Sequence, residues 1–473
     1  MRGKFISGYL MDDTKTQAWI IYLIVNVIFR SCYSQSVLAL RPNRVVVKVN
    51  STDKQTLFTH LKTYGFTYVH KITPSIFTFE YDNNNRTLRE SLLIIKDVFT
   101  DEVLETEPVR LYTNIIQPWD RGKETHLPIV EYIPPEISIQ DGNGVGVSAV
   151  WSRGYSGRGV TVAVTGVGID PYLLDLQKNL KLDLSFNYMY NKYDITPEYF
   201  SRSQSRALLL TDQGNNIAGL LAAEKDNGLC GAGIAYDSNI VGLTIFKVGP
   251  LRDDLSTLKL LTISDVIASA LTHRLDDIDV FINAWIPSSS FDQLDLATRN
   301  AIVYGATAGR RGLGSVYVVP AGPTGNVLSN NIYTITVGVL DVNGTKQRNT
   351  LSDASVLTSG LMSSKMVTTS DNNRCIANFK GYSAAESQIG AIIALGIEAN
   401  PRLSLREIQH LLVLASEHSW LRTNSLFKRN GAGHYFSEMF GFGVLNAEKI
   451  VTLSKNVTVN QLITKSLTTT VIT

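Results

Sequence analysis

From Gly159 onward the chain alternates helices with strands that are apolar on both faces, and this alternation limits the fold more than any other feature. The runs at 160–165, 240–246, 279–285, 315–319 and 333–337 are rich in Val, Ile and Phe and present no polar side. A strand of that kind must be covered above and below, and the intervening helices supply the cover. The reading is an α/β domain of three layers around a mostly parallel sheet. Two long helices follow. The one at 383–398 is apolar nearly all round and so buried, and the one at 404–416 opens with the capping box Ser404-Leu-Arg-Glu407.

A smaller unit precedes this domain. Residues 43–50 form a β-branched strand, and Thr52-Asp-Lys-Gln55 is a capping box before a helix with Leu57, Phe58 and Leu61 on one face. Strand signals follow at 67–72 and 76–81, a helical stretch at 86–97 and a β-like run near 109–113. That order is the split βαβ arrangement of a ferredoxin-like α+β unit. Residues 118–135 are irregular and proline-bearing, as linkers are.

With 44% hydrophobic and 18% charged residues in 473, the chain can bury one large core and a small second one. Its formal net charge of +2 gives no field that would recruit nucleic acid or an anionic membrane surface. The apolar run at 18–29 is too short to span a bilayer and precedes Cys32-Tyr-Ser34, a small-x-small site before Gln35. It reads as a signal peptide, hence a secreted protein. Asp12 and Asp13, in a front region that is ordinarily basic, leave a later start or an uncleaved anchor as alternatives. Asn50, Asn85, Asn343 and Asn456 head glycosylation tripeptides. Once the leader takes Cys32 away, Cys230 and Cys375 remain either as one bridged pair or as two buried thiols.

The stretch Trp151-Ser-Arg-Gly-Tyr-Ser-Gly-Arg-Gly-Val-Thr-Val-Ala-Val164 resembles the start of the catalytic domain of kexin and furin-like proprotein convertases. The likeness continues through Asp226-Asn-Gly-Leu-Cys-Gly-Ala-Gly-Ile-Ala-Tyr236, Gly309-Arg-Arg-Gly-Leu-Gly-Ser-Val-Tyr-Val-Val319 and Phe440-Gly-Phe-Gly-Val-Leu-Asn446. These stretches run in order over most of 144–451, and within the family they look most similar to the neuroendocrine convertase 2 branch. The resemblance implies a subtilisin-like fold, a serine endopeptidase that processes proteins, and an inhibitory, fold-assisting prodomain ahead of it. The implied organisation is a signal peptide over 1–34, a prodomain-like unit over 35–117, a linker over 118–143, a subtilisin-like domain over 144–455 and a tail over 456–473.

Such a protease needs a serine nucleophile, a histidine base, an aspartate that orients the imidazole, and an asparagine that binds the oxyanion. The strand expected to end in that aspartate reads Val162-Ala-Val-Thr-Gly166. The helix expected to open with the histidine reads Asp212-Gln213-Gly214, and Gln213 is neutral at every pH. Pro323 stands at the oxyanion position, which is an aspartate in neuroendocrine convertase 2. The nucleophile motif reads Gly381-Tyr-Ser383-Ala-Ala-Glu386-Ser387, so only Ser383 keeps its group. None of the seven histidines lies in a motif that would bring it to Ser383. A makeshift Ser383/Asp212 pair is the remaining chemical alternative, and a helix N-cap is the structural reading of Ser383. Where furin-like enzymes place acidic groups for basic substrates, Ala284-Trp-Ile-Pro287 is followed by Ser288-Ser-Ser290.

The resemblance also implies a Cys230–Cys375 disulfide and a tight calcium site. Asp175, Asn227 and the carbonyls of Glu224, Leu229 and Gly231 fall on the ligand positions, the alternative being a solvated turn at Asp226-Asn-Gly. The leading reading is a secreted pseudoprotease that acts by binding its own prodomain in cis and a true convertase or peptide ligand. Neither nucleic acid nor a stable membrane span enters it. The alternative is an active serine endopeptidase with atypical catalytic residues. A third reading is a degenerate gene product, since convertases continue into a β-sandwich domain beyond the point matching Thr473. The junction Gln117-Pro-Trp-Asp-Arg121-Gly-Lys123 has no run of basic residues, so the N-terminal unit is expected to stay attached.

Overall fold

The structure, a computed structural model, describes residues 43–457 except 51–52, 83–85, 113–114, 117–124, 128–144, 199–210, 251–257, 288–292, 323–325, 346–352, 363–365, 378 and 380. The expected signal peptide, Asn85, most of the expected linker, the three serines at 288–290, Pro323 and nearly all of the tail lie outside the described residues.

The N-terminal unit runs β1 (Arg44–Val49), α1 (Lys54–Thr63), β2 (Phe66–Thr73), β3 (Ile76–Tyr81), α2 (Leu88–Val98) and β4 (Val103–Pro108). Its sheet is antiparallel with order β2-β3-β1-β4. Val45, Val47, Phe77 and Phe79 alternate onto one face and pack with Leu57, Leu61, Ile95 and Phe99 into a core of their own. The cap of α1 is Asp53, whose carboxylate accepts from the Thr56 N–H at 3.1 Å, in place of the expected box from Thr52. The fourth strand also lies earlier than its expected place near 109–113. The run VLETEP gives little strand signal because it is an edge strand whose acids face outward, toward Arg299 and the start of a helix at 296.

Three short strands then cross the larger domain: β5 (Leu111–Tyr112), β6 (Ile115–Ile116) and β7 (Thr125–Leu127). β7 falls within the expected irregular linker, where it acquires its strand form by pairing with a distant segment. After α3 (Val147–Ser152) come β8 (Thr161–Gly166), β9 (Phe186–Asn187), α4 (Gln213–Ala222), β10 (Asn239–Thr244), β11 (Lys247–Pro250) and β12 (Leu258–Ile263). Next are α5 (Ser264–Leu271), β13 (Val280–Ile282), β14 (Ile286–Pro287), α6 (Leu296–Ala308), β15 (Val316–Pro320), β16 (Thr334–Asp341) and β17 (Val356–Met362). The chain continues with β18 (Val367–Ser370), β19 (Arg374–Ala377), α7 (Tyr382–Ala399), α8 (Leu405–Ala415) and β20 (Ser416–Glu417). It closes with a β21 (Lys428–Arg429) and β22 (Tyr435–Phe436) hairpin, β23 (Val444–Leu445) and α9 (Ala447–Asn456).

Nine strands form the central sheet in the order β20-β23-β17-β16-β15-β13-β8-β10-β9. Every pairing in it is parallel except β20 with β23. Burial on both faces can be read from adjacent residues. Phe281 stacks obliquely on Tyr317, whose hydroxyl donates to the carbonyl at the end of α5, while Ile282 turns the other way toward Gly390 of α7. A fully buried aromatic or aliphatic side chain of this kind contributes roughly 1.5–3 kcal/mol. The expected three-layer α/β architecture is thus present, with α7 buried along most of its length. Among the described residues no helix is long and apolar enough to cross a membrane.

Candidate active site

Gln213 and Ser383, at the N-termini of α4 and α7, meet in a hydrogen bond, and Gly214 of α4 abuts Gly168, two residues past Gly166 at the end of β8. Gln213 is almost fully buried and Ser383 completely so. The Gln213 Nε2 donates to Ser383 Oγ at 2.7 Å and to the carbonyl oxygen of Ala284 at 3.1 Å. A carbonyl oxygen only accepts, so the contact with Ala284 fixes which way the amide faces. Ser383 therefore receives a proton donor at the place where a general base would have to offer a lone pair.

Gly166 is not demanded by its surroundings. Among the described residues a Cβ built on it meets no atom within 4 Å, and its φ is outside the left-handed range. The contrast is Gly214, where a Cβ would stand 1.9 Å from the carbonyl oxygen of Gly168, so α4 can abut the exit of β8 only with glycine there. The strand ends are held in register by Thr165, whose hydroxyl donates to Asn283 Oδ1 at 2.7 Å and accepts from the Trp285 indole N–H at 2.8 Å.

Asp212 gives Ser383 no help. Its carboxylate accepts from the Ser370 hydroxyl, from Asn215 Nδ2 at 2.7 Å, from Asn216 Nδ2 at 3.1 Å and from the Asp371 N–H at 3.0 Å. It ties α4 to β18, and burial pushes its carboxyl up to about 7 against the pull of those donors. Ser383 is not the N-cap of α7 either. Gly381, at φ +92°, takes that position without a side-chain bond, and Ser383 sits inside the first turn facing α4. Sequence reasoning missed the state of Glu386, one turn along. It is fully buried, neither carboxylate oxygen has a hydrogen-bond partner among the described residues, and burial raises its carboxyl well above the usual range. The available signal was a lone acid in a helix otherwise read as apolar all round.

The chain also lies across its own site. β6 pairs antiparallel with β14, Ile116 opposite Ile286 and Ile115 opposite Pro287, two residues from the Ala284 carbonyl that anchors Gln213. β5 pairs with β12, and β7 adds to β19 with Leu127 opposite Cys375. Residues 111–112, 115–116 and 125–127 of the same molecule therefore take up strand edges of the larger domain, the second of these next to the segment that carries the Ala284 carbonyl.

Cys230 and Cys375 form a disulfide that joins the loop after α4 to β19. In that loop, positive φ at Asp226, Gly228 and Gly231 curls the backbone beneath Asp175. Asp175 is buried and accepts from Asn227 Nδ2 at 2.8 Å and from the Thr369 hydroxyl, while Asn227 Oδ1 accepts from the Leu229 N–H at 2.9 Å. One carboxylate, one amide and loop carbonyls are hard oxygen donors of the kind calcium takes, while here Asn227 turns its Nδ2 toward Asp175 and its Oδ1 toward the Leu229 N–H. Among the described residues no cluster of three or more His, Cys, Asp or Glu is placed to hold a metal. Asn50, Asn343 and Asn456 are exposed.

The family model of the subtilases matches residues 157–443, a span that contains Gly166, Gln213 and Ser383. The chain belongs to the subtilase family. Among curated relatives, this subtilase is 33% identical over 326 residues to the human proprotein convertase subtilisin/kexin type 6, covering 65% of this chain and 32% of that protein. It is 32% identical over 328 residues to neuroendocrine convertase 2 of Drosophila melanogaster, covering 65% and 48%. The chain thus spans a third to a half of the length of these relatives. Two solved structures share the subtilase fold. One is fervidolysin from Fervidobacterium pennivorans, a keratinolytic enzyme related to subtilisin, at TM-score 0.59 and 16% identity, covering 87% of this chain and 61% of that one. The other is the epidermin leader peptide processing serine protease of Staphylococcus aureus, at TM-score 0.61 and 12% identity, covering 88% and 99%.

Proposed function

We propose that this subtilase is a secreted, proprotein convertase-like pseudoprotease that acts by binding and keeps its N-terminal unit attached. The observation that carries the reading is the direction of the Gln213–Ser383 hydrogen bond: the amide donates to the nucleophile's oxygen at 2.7 Å and cannot take its proton. An aspartate at Gly166 would have no imidazole to orient. Pro323, at the oxyanion position by resemblance, has neither a side-chain donor nor a backbone N–H.

The pairing of β6 with β14 supports a cis role for the N-terminal unit, because the strand edge next to the segment that carries the Ala284 carbonyl is already occupied. A tethered segment competes at high effective concentration, so a peptide or convertase partner either displaces it or binds another face. Calcium enters the proposal as a structural ion held by Asp175, Asn227 and the carbonyls of Glu224, Leu229 and Gly231. The test of function is hydrolysis of a diverse peptide library by the purified chain beside its Ser383→Ala variant. Equal, background-level product from both is the expected result, and turnover that Ser383→Ala removes would restore the endopeptidase reading.

A further inference from the structure

The N-terminal unit meets the subtilase domain across a cleft of about 740 Å³, between β2 and the segment that follows α5. Arg44, His70, Lys71, Ser269, Arg274 and Tyr304 are among the residues that line it, and among the described residues no carboxylate does. The acids stand behind the cations. Arg44 pairs with the buried Asp265 at 3.3 Å, with Glu80 at 3.9 Å. Arg274 lies 3.7 Å from Asp277, a half-exposed pair that holds little energy. Lys71 is exposed, and among the described residues no carboxylate is within ion-pair distance of it. His70 Nε2 and Ser269 Oγ, 3.1 Å apart, join the two units at the cleft wall.

Clefts of a few hundred cubic ångströms at domain junctions are common ligand sites. Here the first charges a ligand meets are a lysine from one unit and an arginine from the other, with hydroxyl and imidazole groups between. Oxyanions of sulfate or phosphate type are what guanidinium forks and ammonium groups recognise. We propose that this cleft binds a small polyanion carrying sulfate or phosphate groups, bridging Lys71 of the N-terminal unit to Arg274 of the subtilase domain. The proposal rests on the N-terminal unit staying attached. A ligand that binds only the docked pair also stabilises the docking by mass action.

The test uses the full chain, its intact mass read first so that loss of the N-terminal unit is told apart from failure of the site. Melting is followed in inorganic phosphate and in a heparin-derived disaccharide, each against sodium chloride of matched ionic strength. A saturable rise in Tm with either probe is expected. The Lys71→Ala/Arg274→Ala variant should bind about tenfold more weakly or worse, with unchanged melting in chloride. If that variant melts early, Lys71→Gln at its exposed position gives the same reading. Binding by phosphate as tight as by the disaccharide identifies a free oxyanion as the ligand, and tighter binding by the disaccharide identifies a glycan. No saturable shift in protein that retains its N-terminal unit, or equal binding by the variants, would overturn the site.

Discussion

At Ser383 the hydroxyl oxygen accepts an amide proton at 2.7 Å, whereas attack on a peptide needs the hydroxyl proton to leave toward a lone pair. Under the proposed reading, glycine at 166 is a chemical change rather than a structural need. Gly166→Ala is expected to change stability by less than about 1 kcal/mol, because its Cβ meets open space. Gly214→Ala, aimed at a backbone oxygen 1.9 Å away, should cost about 1–3 kcal/mol or more, both read by urea unfolding. The meeting of Gln213 with Ser383 was legible in the sequence because the motifs around both residues stay in register. The orphaned Glu386 was not, since its isolation depends on three-dimensional surroundings that no spacing reports. Its proton has a consequence for stability. Unfolded carboxyls titrate near 4, while burial holds Glu386 well above that and Asp212 at about 7, so the folded chain binds more protons between these limits. The stability they contribute is therefore complete below about pH 4 and is lost as pH rises through their folded values. His70 and His273, lowered by burial, act in the opposite sense, withdrawing stability as pH falls below about 6.5. A single-site comparison isolates the effect: Glu386→Met should be more stable than the parent by about 1–3 kcal/mol at pH 8, and the gain should shrink at pH 4. A gain that is the same at both pH values would contradict the buried-acid account.

Among the elements, the parallel strands and the long helices were readable because both-face burial leaves a continuous apolar run. Of the short strands, β5 falls inside the expected β-like run at 109–113 but pairs with β12 rather than with the N-terminal sheet, while β6 and β7 gave no signal. Two or three residues carry no periodicity, and their form comes from partners far along the chain, β12, β14 and β19. The edge strand β4 was misplaced for a related reason, its acids serving the helix that starts at 296 rather than a hydrophobic face. The disulfide clamps β19 to the loop after α4 over a sequence separation of 145. Cys230→Ser/Cys375→Ser should lose about 2–4 kcal/mol in denaturant unfolding under the chain-entropy account. The same loop carries the proposed calcium ligands. Millimolar calcium should raise Tm relative to excess chelator, and Asp175→Asn should abolish the difference. Identical melting curves for the parent in both conditions would remove the ion from the account.

For the whole molecule, the two cores, the separate N-terminal unit and the strand edge taken by β6 make one arrangement in which the segment that follows the N-terminal unit packs beside the stretch that carries the Ala284 carbonyl. This arrangement makes self-cleavage the most sensitive test of whether the site retains any chemistry. A peptide added from outside must compete with β5, β6 and β7, whereas the chain's own junction is tethered to the domain at high effective concentration. Absence of cleavage in trans can therefore reflect a blocked edge, but absence of cleavage in cis reflects missing chemistry. The decisive measurement is the intact mass of deglycosylated protein expressed in cells that lack other convertases, for the parent and Ser383→Ala side by side. One species that retains the N-terminal unit, the same in both, is the predicted result. A homogeneous product beginning between Arg121 and Pro135 in the parent and absent from Ser383→Ala would show that the site still cleaves, and would contradict the account.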